Sequence, residues 1–138
     1  MLRQTIHTAA APAAIGPYSQ AIAVDQMVFL SGQIPLDPSS GQLVDGGIEA
    51  QARQAFSNLS AVCEAAGGHL DDCIKLTLFL TDLQDFAIVN QTMQAFFKAP
   101  FPARSTVQVA ALPRGACFEV EAIMIRPAAD ASASSAGA

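Results

Sequence analysis

The chain has 138 residues, 51% of them hydrophobic and only 14% charged, enough for one domain with a real core. Seven basic against twelve acidic residues give a net charge of −5 with no cluster of Lys or Arg, which argues against a counterion-releasing nucleic-acid surface. So apolar a balance is high for a monomer and points to an oligomer.

No run approaches the roughly 18 apolar residues of a membrane span, and the N-terminus lacks a basic region followed by an apolar core. A cytoplasmic protein, with no membrane partner, is expected. The three cysteines, Cys63, Cys73 and Cys117, form no CxxC pair, and with only His7 and His69 no zinc spacing arises. Reduced thiols and no metal are expected. GxGxxG, P-loop and HExxH patterns are all missing, so no cofactor is indicated.

In chain order, Leu2 to Ile6 reads as a short strand and Thr8 to Pro17 as an Ala- and Pro-rich loop. Ser19 to Val24 and Met27 to Gln33 are strand-like runs joined at Asp25-Gln26, a hairpin. Pro35 to Gly47 is a long turn-rich loop. Ile48, Ala52, Ala55, Phe56, Leu59, Val62, Cys63 and Ala66 recur at helical spacing, and Gly67-Gly68 supplies the stop. Asp72 to Leu80 is a strand with Ile74, Leu76, Leu78 and Leu80 on one face. Thr81-Asp82 offers caps for a second helix, with Phe86, Val89, Met93, Phe96 and Phe97 as its stripe and Pro100 and Pro102 as its end. Ser105 to Ala110 reads as a strand, Leu112 to Gly115 as a turn and Cys117 to Arg126 as the last strand.

Strand–helix–strand crossovers favour parallel neighbours and hairpins antiparallel ones. An α+β sandwich follows, with a six-stranded mixed sheet and two helices on one face. The last strand is apolar on both sides, with Phe118, Val120, Ala122 and Met124 on one and Ile123 and Ile125 on the other. The face without helices needs a cover, and a like subunit is the economical one.

Three features can carry chemistry. Arg104, in Phe101-Pro102-Ala103-Arg104-Ser105, opens an apolar strand and is either an ordinary edge arginine or a fork that grips a carboxylate bidentately. Glu119 and Glu121 share a strand face roughly 6.8 Å apart. They are either a solvated strand end or a pair in which one carboxylate serves as a general base for water. Gly16-Pro17-Tyr18-Ser19-Gln20, with Ser31-Gly32-Gln33, is either plain turn chemistry or a cradle for a small polar ligand. No Ser or Cys has a His at readable spacing, so a covalent triad is not expected.

Gly16-Pro17-Tyr18-Ser19-Gln20-Ala21, Ser31-Gly32-Gln33-Ile34-Pro35, Ala50-Gln-Ala-Arg-Gln-Ala55, Asp82-Leu83-Gln84-Asp85-Phe86, Phe101-Pro102-Ala103-Arg104-Ser105 and Glu119-Val120-Glu121-Ala122, in register over residues 4 to 126, resemble the Rid (YjgF) family, closest to its deaminase subgroup. The resemblance implies a chorismate-mutase-like fold, a single Rid-type domain over 1–127 and, beyond it, an Ala/Ser-rich flexible tail over 128–138. It also implies a homotrimer with clefts between subunits. The implied activity is hydrolysis of 2-aminoacrylate/2-iminopropanoate and 2-iminobutanoate, released by pyridoxal-phosphate-dependent dehydratases, to 2-keto acids and ammonia. No cofactor takes part.

By the same resemblance, Arg104 binds the substrate carboxylate and Glu119 positions or activates water. Tyr18 lines the cleft from the neighbouring subunit, Ser31 and Gly32 form the pocket turn, and Asn90 stands on the cleft side. Glu121 reads as structural. Thr106 departs from the family, many of whose members carry Cys there; a role through its backbone N–H survives the change, whereas a role of the thiol would alter rate or specificity. The rival readings are a non-catalytic trimer that binds 2-keto acids as a regulator or chaperone, an endoribonuclease, which the acidic charge opposes, and an enzyme for a larger enamine.

Overall fold

The computed structural model describes residues 2–128. The tail expected over 128–138 falls, apart from residue 128, outside them. The element order is β1 (Arg3–Ile6), β2 (Ala21–Val24), β3 (Met27–Gln33), α1 (Ile48–Ala65), β4 (Cys73–Leu80), α2 (Phe86–Met93), β5 (Ala103–Gln108) and β6 (Phe118–Ile125). The strands form one sheet in the order β1-β2-β3-β6-β4-β5. Only β4 and β5, joined through α2, run parallel; every other neighbour is antiparallel. The mixed sheet expected from the element order is therefore present.

Local chemistry explains the boundaries. The β2–β3 hairpin turns at Asp25, whose φ of 55° a short polar side chain tolerates. α1 ends in a Schellman arrangement. Gly67, at φ 94°, donates to Glu64 O at 3.0 Å, and Gly68 donates to Cys63 O at 3.0 Å. Ala52, Ala55, Phe56, Leu59, Val62 and Cys63 of α1 are fully buried against the sheet.

α2 is shorter than its apolar stripe suggested. A 3-10 turn at Leu83–Asp85 precedes it, capped by Asp82 accepting from Gln84 N–H at 2.9 Å. The helix stops at Met93, before Pro100. The next residues turn so that adjacent Phe96 and Phe97 both reach Phe56, with ring centroids at 5.4 and 5.8 Å. A continuing helix would have splayed those neighbours about 100° apart.

β4 also departs from simple alternation. Its register on β6 shifts between Cys73 and Lys75. Cys73 is buried and Ile74 is 48% exposed, not on the face of Leu76, Leu78 and Leu80 as alternation predicted. The extra residue rotates the strand start by half a period. Cys73 then meets Cys63 across the core, Sγ to Sγ 3.8 Å, both as free thiols.

Among the described residues, the other face of the sheet carries no helix. Ile22, Phe29, Ile123, Lys75 and Ala103 stand in one register row across β2, β3, β6, β4 and β5. Phe29 is 47% exposed. A second row runs through Glu119, Phe79 and Val107.

Candidate active site

Arg104 stands on β5, at the edge of the sheet. It pairs with Leu76, whose side chain is buried under the helices, so Arg104 and Thr106 project to the helix side. There Arg104 Nη1 donates to Asn90 Oδ1 and approaches Met93 Sδ at 3.7 Å. Its Cζ lies 5.2 Å from the centroid of the Phe86 ring. The ion pairs among the described residues are Arg53–Glu49 and Lys98–Asp71, so none neutralises Arg104. A cavity of about 380 Å³ opens beside it, lined by Asn90, Met93, Gln94, Phe101, Pro102 and Arg104 itself.

The backbone of β5 adds donors. Val109 N–H reaches Leu80 O at 2.8 Å. By alternation along a parallel ladder, Val107 and Ser105 also turn their N–H groups to β4, and those of Thr106 and Arg104 point off the open edge. The Thr106 hydroxyl turns the other way. It is buried without a hydrogen-bond partner among the described residues.

Ser31, Gly32, Glu119 and Tyr18 form a second group. The β3–β6 register passes from Leu30↔Ala122 to Gln33↔Val120, so Ser31 and Gly32 together oppose Glu121, a β-bulge. The Glu119 carboxylate lies over Gly32, and a Cβ there would overlap it, so a larger residue would displace the carboxylate. Ser31 Oγ donates to Ser19 O at 2.6 Å and Ser31 N–H to Gln20 O at 3.0 Å. These bonds tie the bulge to the segment that carries Tyr18, which is exposed. Burial, and then the neighbouring Glu121 carboxylate, push the Glu119 carboxyl above its usual range.

The two groups are separate within one chain. Arg104 registers with Leu76 and Glu119 with Phe79, three residues apart on β4 and so on opposite faces. Arg104, Asn90 and Thr106 make one candidate group, and Glu119, Gly32, Ser31 and Tyr18 the other. Glu121 is exposed beside the second.

The sequence reading missed three contributors. Phe86 and Met93 were assigned to the core stripe, yet they also touch Arg104; their spacing to Asn90, four residues and then three, was the available signal. Gln20 is buried. Its Oε1 accepts from Thr8 N–H at 2.7 Å, and its Nε2 donates to Thr8 O at 3.1 Å and Pro12 O at 2.8 Å, fastening the loop before β2. Nothing in the sequence marks that residue apart from its motif.

Sheet, helices and connections define the class, a small α+β protein with the chorismate-mutase-like sheet of the Rid type. The sequence model of the family described as Endoribonuclease L-PSP matches residues 8–126. The chain is 49% identical over 126 residues to the human 2-iminobutanoate/2-iminopropanoate deaminase, covering 91% of this chain and 92% of that one. It superposes on the crystal structure of RidA from an Antarctic Psychrobacter with a TM-score of 0.86 at 51% identity, covering 88% of this chain and 98% of that one. Escherichia coli TdcF with bound serine gives a TM-score of 0.85 at 44% identity, covering 90% and 99%. The chain belongs to this family, the Rid family to which its six sequence motifs point.

Proposed function

We propose that this protein is a 2-iminobutanoate/2-iminopropanoate deaminase that converts these imines to 2-keto acids and ammonia by hydrolysis. The observation that carries the reading is the exposed guanidinium of Arg104, held by neutral partners beside an open cavity and paired with no carboxylate among the described residues. Such a fork suits a small monoanionic acid. The human relative at 49% identity, a deaminase of these two imines, supports the substrate class.

The two half-sites meet in a homotrimer. The helix-free face of one subunit packs on the next, and Glu119, Ser31, Gly32 and Tyr18 of one subunit complete the cleft at Arg104, Asn90 and Thr106 of its neighbour. Arg104 holds the carboxylate of the 2-imino acid. The Thr106 N–H, aimed off the sheet edge, is placed to donate to the substrate. Glu119 takes a proton from water as the water oxygen attacks C2 and returns it to nitrogen; it then carries the second proton from the new C2 hydroxyl to nitrogen as the C2 carbonyl forms and ammonia leaves. The balance is one imine and one water to one ketone and one ammonia. An imine carbon is already electrophilic, so general-base help of about 10²–10⁴-fold suffices, and no cofactor is invoked.

The described residues include no helix long and apolar enough to cross a membrane. The reading places the protein in the cytoplasm with the dehydratases that release imines, and free thiols accord with a reducing compartment.

The test is keto-acid release from threonine by a dehydratase, with semicarbazide scavenging free imine. The wild type should speed keto-acid formation and suppress semicarbazone. Arg104→Ala should lose about 2–5 kcal/mol of transition-state binding, the usual cost of truncating one partner of such a pair. Binding of 2-oxobutanoate without turnover would replace the enzyme with a ligand-binding trimer.

A further inference from the structure

Arg104 is exposed, and a free arginine of this length samples many rotamers. Here it is not free. Phe86, Asn90 and Met93 follow one another on α2 at helical spacing and so project from one side of the helix. All three touch the same guanidinium, through a ring face, an amide oxygen and a thioether. The helix that carries them is anchored. Val89 is fully buried, Met93 is 5% exposed, and Phe86 packs against the core.

Two details give these contacts a direction. Both polar contacts use Nη1. Among the described residues Nε and Nη2 make no hydrogen bond, so the edge they share stays open. The three partners are also uncharged. They orient the guanidinium without neutralising it, whereas an acidic partner would compete with an incoming carboxylate.

We infer that Phe86 and Met93 are positioning residues for the deamination: with Asn90 they hold Arg104 by its Nη1 corner and its face, leaving the Nε–Nη2 edge as the fork for the substrate carboxylate. This assignment rests on the deaminase reading only for the identity of the acid. Phe86 does not touch substrate; it acts through the arginine.

The experiment compares wild type, Phe86→Leu, Phe86→Tyr and Met93→Leu, each alone and with Arg104→Lys. Leucine keeps apolar bulk against the core, and tyrosine keeps the ring. Three quantities are read: the Arg104 Nε–Hε resonance, the calorimetric Kd for 2-oxobutanoate, and KM and kcat in the dehydratase-coupled assay. The wild-type resonance should be displaced by the ring current of Phe86, and only Phe86→Leu should remove that displacement. Phe86→Leu should raise Kd and KM about three- to tenfold, within the usual worth of a cation–π contact, with a smaller change in kcat. Phe86→Tyr should restore both, and Met93→Leu should cost about twofold, the worth of a weak sulfur contact. With Lys at position 104, Phe86→Leu should add no further loss.

A resonance and Kd unaffected by Phe86→Leu would overturn the proposal. So would failure of Phe86→Tyr to rescue a Phe86→Leu protein that unfolds at the wild-type urea midpoint, or a wild type that does not bind 2-oxobutanoate. Turnover failing while the resonance and Kd behave as expected would sink the deaminase reading and leave the positioning role standing.

Discussion

Glu119 must be ionised to act as a base, yet its surroundings resist ionisation. It is part-buried over Gly32 with Glu121 on the same strand face. Both effects raise its folded pKa, so rate should fall with decreasing pH at a point above the ordinary glutamate value of about 4.3. Stability follows the opposite sense. Below the ordinary value the carboxyl is protonated in both folded and unfolded chains and costs nothing; as pH rises through the raised value, the folded state pays for a charge it disfavours. Glu119→Gln should therefore be more stable than wild type at neutral pH, with the advantage shrinking to nothing near pH 4, as thermal melts across that range would show. The same variant should lose turnover by about 10²–10⁴-fold and keep 2-oxobutanoate affinity. Equal losses in turnover and affinity would remove the base role. The candidates Arg104 and Glu119 were legible in the sequence because each is a charge in an apolar strand. Their placement on opposite faces was not, since that depends on which strands β4 separates.

Elements here are fastened to one another by buried amides. Asn58 of α1 is 1% exposed. Its Nδ2 donates to Ile34 O at 3.2 Å and Leu36 O at 2.9 Å, and its Oδ1 accepts from Gln54 at 2.8 Å. These bonds tie the start of the long loop before α1 to the middle of that helix. Asn58→Leu keeps the volume and strands the Leu36 carbonyl, whereas Ile34 O still accepts from Leu36 N–H at 2.8 Å. At about 1–3 kcal/mol for one unsatisfied buried group, it should lower stability by about 1–3 kcal/mol, read as a drop in the urea midpoint at constant m. An unchanged midpoint would mean that the loop does not depend on this anchor. Helical periodicity revealed α1 well because its stripe and its Gly67-Gly68 stop agree. It overextended α2, because Phe96 and Phe97 continue the apolar pattern while the backbone has already left the helix. Alternation misplaced Ile74 for a similar reason: a bulge resets the face, and no residue type announces it.

At the scale of the whole molecule, the sheet has one covered face and one open one. The open face carries the row Ile22, Phe29 and Ile123 and the pair Phe79 and Val107, with Phe29 47% and Val107 41% exposed. The polar row Glu121, Thr77 and Ser105 lies between these two apolar groups, and the proposed trimer would bury both. The sequence implies the uncovered face, because β6 is apolar on both sides while two helices cover only one. In the proposed trimer the open face and the Arg104 edge would each carry half of the site; the family resemblance implies such a division for Tyr18, but which face carries Glu119 and which Arg104 is not legible in the residues alone. That division makes assembly and activity one question. Phe29→Glu puts a charge at the centre of the row, and burying it unpaired against a like subunit is costly. The variant should sediment as a monomer where the wild type sediments as a trimer, and its deaminase activity should fall in step with dissociation, since neither half-site suffices. Raising the protein concentration until the variant reassociates should restore the rate. A fully active monomer would show that one chain holds the whole site, and a persistent trimer would place the interface elsewhere.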